Sequence, residues 1–196
     1  PMATALITGG AKRIGAEFAR YFAKQGFRLG VHYNASSADA LALQRKICSD
    51  SPHGQNACHI FKANLSVTQE VENLYCEARE ALGEIDLLIN NASCFYYDDT
   101  EDSLDLNFDL HVAVNLKAPV TLAQMMRRLE NPETDHLVVN MLDNKLLALN
   151  PDYFSYTLSK SALMTATKMM AMQFAGKPRI CAIAPSITLP SGGQSE

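Results

Sequence analysis

No apolar run in this chain approaches the roughly 18 residues needed to cross a bilayer. A first strand pattern begins almost at once, at Ala3, leaving no room for a signal peptide. The expectation is a cytoplasmic protein. Basic charge is also scarce, with 17 Lys and Arg against 21 Asp and Glu and a net charge of -4. Nucleic acids and anionic membranes need a basic field, so a small-molecule partner is expected instead. The cysteines, Cys48, Cys58, Cys76, Cys94 and Cys181, form no Cys-x-x-Cys pair and no ligand spacing with His32, His53, His59, His111 or His136. This argues against a disulfide framework and predicts no bound metal, the thiols being reduced and mostly buried. Repeats, low-complexity segments and internal linkers are missing too. What remains is a chain of 196 residues with 47% hydrophobic content, enough for one domain with a substantial core.

Six short apolar stretches read as strands: 3–8, 28–33, 57–63, 85–90, 136–142 and 179–184. Between them lie helical patterns at 16–25, from Ser36-Ser37 to about 49, from an N-cap at Ser66 to 82, at 104–129 with a bend near Pro119, and at 154–175. Strand and helix in strict alternation predict an α/β fold, a Rossmann-type doubly wound parallel sheet in a single three-layer domain over 1–196. The acidic run from Tyr97 to Leu106 reads as a solvated loop and helix start. Ligands in such sheets bind beyond the carboxyl ends of the strands. Gly9 to Gly15, Asn34, Asn64, Asn90 to Phe95, Asp143, Pro185 and Ser186 all fall on that edge.

Gly9-Gly10-Ala11-Lys12-Arg13-Ile14-Gly15 sits between the first strand and first helix, where a dinucleotide pyrophosphate would meet free helix N–H groups. NAD-binding versions carry an acidic residue about 20 positions later, for the ribose hydroxyl. None stands here: His32, Tyr33 and Asn34 end the second strand, Ser36 and Ser37 follow, and Lys12 and Arg13 lie in the turn. This set tolerates a 2'-phosphate, and NADPH is expected over NADH.

Asp143 ends the fifth strand, and Tyr156 and Lys160, four apart, share one face at the start of a helix. A carboxylate facing a Tyr/Lys pair is a proton-transfer site in prospect. Lys160 should lower the tyrosine pKa from its usual value of about 10, while Asp143 opposes it.

With these residues placed, the chain resembles the short-chain dehydrogenase/reductase family. The likeness rests on Thr8-Gly9 with Gly15, Asn90-Asn91-Ala92, Asn115, Tyr156-x-x-x-Lys160 and Ala184-Pro185. Arg13, Ser93 and Asp143 replace the glycine, glycine and serine common in that family; these changes, together with Phe95, resemble its pteridine reductase branch. The resemblance implies a cofactor site of Gly9, Lys12, Arg13, Ile14, Gly15, Tyr33, Asn34, Ser36, Asn64, Leu65, Asn91, Ala92, Ser93, Tyr156, Lys160, Pro185 and Ser186. It implies Asp143, Tyr156, Lys160 and Asn115 as catalytic, with Asn115 on a water-linked proton path. Substrate would meet Arg13, Ser93, Phe95, Asp143 and Tyr156.

The expected activity is NADPH-dependent reduction of a dihydropterin or dihydrofolate. Carbonyl or 3-oxoacyl reduction is the enzymatic alternative, and a non-catalytic dinucleotide sensor is the alternative of another class. Asp143 favours the pterin, because a carboxylate accepts hydrogen bonds from the 2-amino-4-oxo edge but can donate to a ketone only when protonated. Family members continue beyond the point corresponding to Glu196 into a substrate lid and another strand, so those elements are expected outside this sequence. The Ala- and Met-rich helix with Met164, Met169, Met170 and Met172 is expected at a homodimer or homotetramer contact.

Overall fold

Period-2 alternation of apolar side chains puts one set on each face of a sheet, and both faces here are covered by helices. The computed structural model describes residues 2–101 and 106–186. Its strands are β1 (Thr4–Ile7), β2 (Arg28–Tyr33), β3 (Cys58–Lys62), β4 (Leu87–Asn90), β5 (Leu137–Met141) and β6 (Arg179–Ile183). All pair in parallel in the order β3-β2-β1-β4-β5-β6. Leu6, Leu88 and Val138 enter one apolar layer, with Leu74 and Tyr75 and with Leu122 and Met126. Their neighbours Ala5, Ile7, Ile89 and Val139 enter the other, with Ala19, Leu43 and Ile47.

The first of these layers is closed by α3 (Thr68–Leu82), α5 (Ala118–Leu129) and α6 (Phe154–Phe174), the second by α1 (Arg13–Lys24) and α2 (Ser37–Asp50). The expected doubly wound sheet is therefore what forms. Its strand order reverses beside β1, where β2 lies to one side and β4 to the other, opening a crevice at their carboxyl ends.

Several local expectations are corrected. Helix α1 begins at Arg13, earlier than the expected Ala16. Ser66 is not an N-cap: α3 follows Val67, and the Ser66 hydroxyl and N–H both donate to Asn64 Oδ1. Glu70 instead reaches back to accept from the Asn64 N–H at 2.6 Å. The long helix with a bend at Pro119 is α4 (Leu106–Val112), a π turn (Ala113–Lys117) and α5. Proline lacks the N–H that would bond the carbonyl four residues earlier, that of Asn115, so the disturbance falls before Pro119. Cys48 and Cys58 are buried and Cys94 is half-buried, but Cys76 and Cys181 are exposed. The helix start expected at Leu104, Asp102 and Asp105 of the acidic run, and the chain beyond Ser186 lie outside the described residues. No helix among the described residues is long and apolar enough to cross a membrane.

Candidate active site

A cleft of 1140 Å³ opens at the carboxyl edge of the sheet, bounded by the glycine turn, the segment after β4, the end of β5 and the start of α6. Its nucleotide half is built by close backbone approach. Gly9 has φ +59°, and a Cβ there would lie 2.8 Å from Ala92 Cα. A Cβ on Gly15 would lie 2.3 Å from the Gly9 carbonyl oxygen and 2.6 Å from Asn91 Nδ2. The Asn91 amide donates to the carbonyls of Thr8 and Gly9, both at 3.0 Å. Thr8 Oγ1 accepts from the N–H groups of Asn91 and Ala92, also at 3.0 Å. Asn91 and Ala92 thus hold the turn to β4.

Helix α1 has no side-chain cap and no acidic residue in its first turn. Its leading N–H groups are left to an anion, favoured by the helix dipole, in the wall formed by Lys12, Arg13, Ile14 and Gly15. Arg13 has φ 51°, a left-handed conformation with a strain of about 1 kcal/mol for a side-chain-bearing residue. Lys12 pairs with Asp39 of α2 at 3.0 Å on the surface. Beyond the turn, His32, Asn34, Asn64 and Leu65 line the cleft, whereas Tyr33 and Ser36 do not.

At the other end the residues expected to transfer a proton meet. The Tyr156 hydroxyl donates to Asp143 Oδ2 at 2.7 Å, and Asp143 Oδ1 accepts from the Lys145 N–H at 2.8 Å. Lys160 Nζ donates to the Met141 carbonyl at 2.8 Å and lies 5.8 Å from the Tyr156 ring centre. Burial, then the Asp143 hydrogen bond and charge, raise the Tyr156 pKa. In the protein alone desolvation and Asp143 set the direction, opposite to the lowering expected from Lys160. Lys160 itself is lowered to about 8, chiefly by burial, with Asp143 opposing.

Aromatic rings wall this end. Phe95, 47% exposed, stacks on Tyr153 at 4.0 Å with planes 8° apart and meets Tyr156 edge-on at 4.7 Å. Sequence reasoning passed over Tyr153, although its place three residues before Tyr156 puts both rings on one side of the helix start. Ser93, Pro185 and Ser186 also line the cleft.

Asn115 stands behind the wall. Its oxygen accepts from Ser93 Oγ at 3.1 Å and the Cys94 N–H at 2.9 Å; its nitrogen donates to the Cys94 carbonyl at 3.0 Å and Ser159 Oγ at 3.2 Å. With these contacts it fixes the segment carrying Ser93 and Phe95 to α6. The Cys94 thiol is raised to about 11 by burial, which suits lining and not nucleophilic work.

A model of the family described as short chain dehydrogenase matches residues 3–195. The chain belongs to the short chain dehydrogenase family. Two solved structures titled FolM alternative dihydrofolate reductase 1 in complex with NADP, from Brucella canis and Brucella suis, superpose with a TM-score of 0.88 at 42% identity. Each covers 96% of this chain, which in turn spans 75% and 76% of theirs. Among curated proteins, an uncharacterized oxidoreductase of Thermotoga maritima is 26% identical over 95% of this chain and 72% of its own length. Oxidoreductase UcpA of Salmonella typhimurium is 29% identical over 93% of this chain and 68% of its own length.

In this short chain dehydrogenase one polar cluster near the site escaped the sequence. Asp98, placed by sequence in a solvated run, is only 5% exposed. Its carboxylate accepts from the Ser155 N–H at 3.1 Å and from the Ser155 hydroxyl, and so caps α6 from a distant segment. Ser155 Oγ also meets His111 Nδ1 at 2.6 Å, and His111 Nε2 accepts from the Tyr96 N–H at 3.1 Å. Since the Ser155 proton goes to Asp98 and Nε2 accepts, the neutral ring carries its hydrogen on Nδ1 and donates to Ser155. The cluster ties the aromatic segment 95–97 to the helix bearing Tyr156.

Proposed function

We propose that this short chain dehydrogenase reduces a dihydropterin or dihydrofolate at a C=N bond, with NADPH as the reductant. The observation that carries the reading is the 2.7 Å hydrogen bond from Tyr156 to a carboxylate, Asp143, beside the exposed ring of Phe95. A flat heterocycle with a donor-rich edge suits a stacking ring and an acceptor-only group. The Brucella proteins, titled alternative dihydrofolate reductases and complexed with NADP, support both substrate class and cofactor.

The residues present fit the cofactor. The glycine turn and uncapped start of α1 would hold the pyrophosphate, and the end of β2, with His32, Tyr33 and Asn34, presents no carboxylate to repel a 2'-phosphate. Tyr156 and Lys160 would lie along the nicotinamide ribose. Bound NADPH would supply a hydride to the carbon of the C=N bond.

Tyr156 then supplies the proton to the nitrogen, where the electron pair of the broken π bond forms the new N–H bond. Losing that proton leaves a phenolate 2.7 Å from Asp143. Burial makes this costly, and the ammonium of Lys160, still charged below about pH 8, offsets it. Asp143, in contact with Tyr156, relays the replacement proton from the cleft. Arg13 and Ser93 stand where the polar edge of the substrate can reach them. Asn115 contributes by holding Ser93 and Cys94 in place.

The test is a substrate panel with NADPH and NADH: dihydrobiopterin, dihydromonapterin, dihydrofolate and an acetoacetyl thioester, followed by cofactor oxidation. Turnover of pterin or folate with NADPH is expected. Turnover of the thioester alone would end the pterin reading, and equal efficiency with NADH would end the cofactor preference. The exposed Leu158, Met169 and Met172 of α6 support a homodimer or homotetramer. A monomeric mass in sedimentation would be the contrary result.

A further inference from the structure

We infer that His32 is a positioning residue for the nucleotide-binding turn, holding Gly9 through a ring acceptor that exists in one neutral tautomer. The inference rests on the dinucleotide reading above. His32 is the penultimate residue of β2 and is 2% exposed. The Gly9 N–H donates to its Nδ1 at 3.0 Å, and its Nε2 lies 3.0 Å from the Ala63 carbonyl at the end of β3. A backbone N–H can only donate, so Nδ1 is the acceptor and the hydrogen sits on Nε2, donating to Ala63. The His32 backbone carbonyl accepts from the Gly10 N–H at 3.0 Å. One residue therefore fixes both leading glycines and joins the turn to β2 and β3.

Gly9 is braced on its other side by Asn91, and a side chain on Gly15 would strike its carbonyl. Its placement consequently sets where α1 starts and where the leading N–H groups of that helix point. Losing the ring acceptor orphans the Gly9 N–H and frees the turn on the β2 side.

A second proton on the ring would set an Nδ1–H against the Gly9 N–H. Burial lowers the His32 pKa, with the Ala63 hydrogen bond opposing, so the neutral form persists somewhat below the ordinary histidine value of about 6.5. Charged and titratable groups at the same edge of the sheet include Lys12, which is paired with Asp39 of α2, Arg13 of the turn, Tyr33 and Lys62 at the strand ends, and Glu70 of α3, which accepts from the Asn64 N–H. Affinity for the nucleotide should be full above that range and fall as pH drops through the lowered value.

The experiment is fluorescence titration of NADPH into wild type, His32→Asn and His32→Gln at pH 7.5 and 5.5, with thermal melts by circular dichroism. Asparagine places a carbonyl oxygen where Nδ1 stood and should bind within about threefold of wild type at pH 7.5. Glutamine reaches towards Ala63 but leaves Gly9 unpaired, and its Kd should rise roughly tenfold. On acidification, wild type should lose more affinity than His32→Asn, a comparison in which titration of the nucleotide itself cancels. Equal affinities for all three proteins, or equal weakening of both variants, overturn the proposal while leaving the nucleotide reading intact. Wild type that binds neither NADPH nor NADH overturns both. If His32→Gln does not fold, His32→Asn decides: a Kd raised about tenfold at pH 7.5 refutes the inference.

Discussion

Tyr156→Phe should lower turnover by about 10²–10⁴-fold while leaving the Kd for NADPH within about threefold. The substitution removes one oxygen and keeps the ring, including its edge contacts with Phe95 at 4.7 Å and His111 at 6.0 Å. What disappears is the proton in contact with Asp143 Oδ2; the other carboxylate oxygen still accepts from the Lys145 N–H. The fold should therefore be spared, and the loss should appear in kcat in stopped-flow or steady-state assays. Turnover matching wild type would remove Tyr156 from the chemistry and require another proton donor.

Gly15→Ala attacks the other half of the cleft. Its methyl group would meet the Gly9 carbonyl at 2.3 Å and the Gly10 Cα at 2.9 Å, both backbone atoms that cannot swing aside. Overpacking of this kind costs about 1–3 kcal/mol, and relief requires Gly9 to leave the place in which Asn91 and His32 hold it. Affinity for NADPH should fall about 100-fold, with the unfolding free energy lower by about 2 kcal/mol. Gly26→Ala is the matched control. Gly26 has φ +84° but nothing within 4 Å, so alanine there meets only backbone strain, about 1 kcal/mol of stability with no loss of affinity. Nucleotide titration and urea denaturation of the two variants separate these effects, and wild-type affinity in Gly15→Ala would refute the close-approach account.

The sheet was legible because its evidence is local: Ala5-Leu6-Ile7 and Leu87-Leu88-Ile89 are short, continuous apolar runs, as strands buried on both faces must be. The Tyr156, Lys160 and Asp143 constellation was legible from spacing and strand end. Burial was not. Asp98 belongs by sequence to a run of acids that water would solvate, and only packing against the start of α6 turns it into a cap. Neighbours could be named for Tyr156, but not how far its phenol is desolvated, which is why the direction of its pKa shift came out reversed. The role of His32 hinges on which atoms of a turn and a third strand converge on one ring, and no spacing in the chain encodes that. Tyr33 and Ser36 do not line the cleft: alternation along β2 turns Tyr33 away from the side taken by His32, and Ser36 lies past the strand, at the start of α2.

The π turn at Ala113–Lys117 acts as a phase setting between two helices. It accommodates one residue more than regular α winding, and each α-helical residue turns the chain by about 100°. Wound evenly, that extra residue would rotate α4 by about this angle against α5; taken up in the wider turn, it leaves the two helices in phase. His111 therefore faces Ser155, and the aromatic segment keeps its anchor to α6. In this stretch the wider winding matters more than the identity of most of its residues.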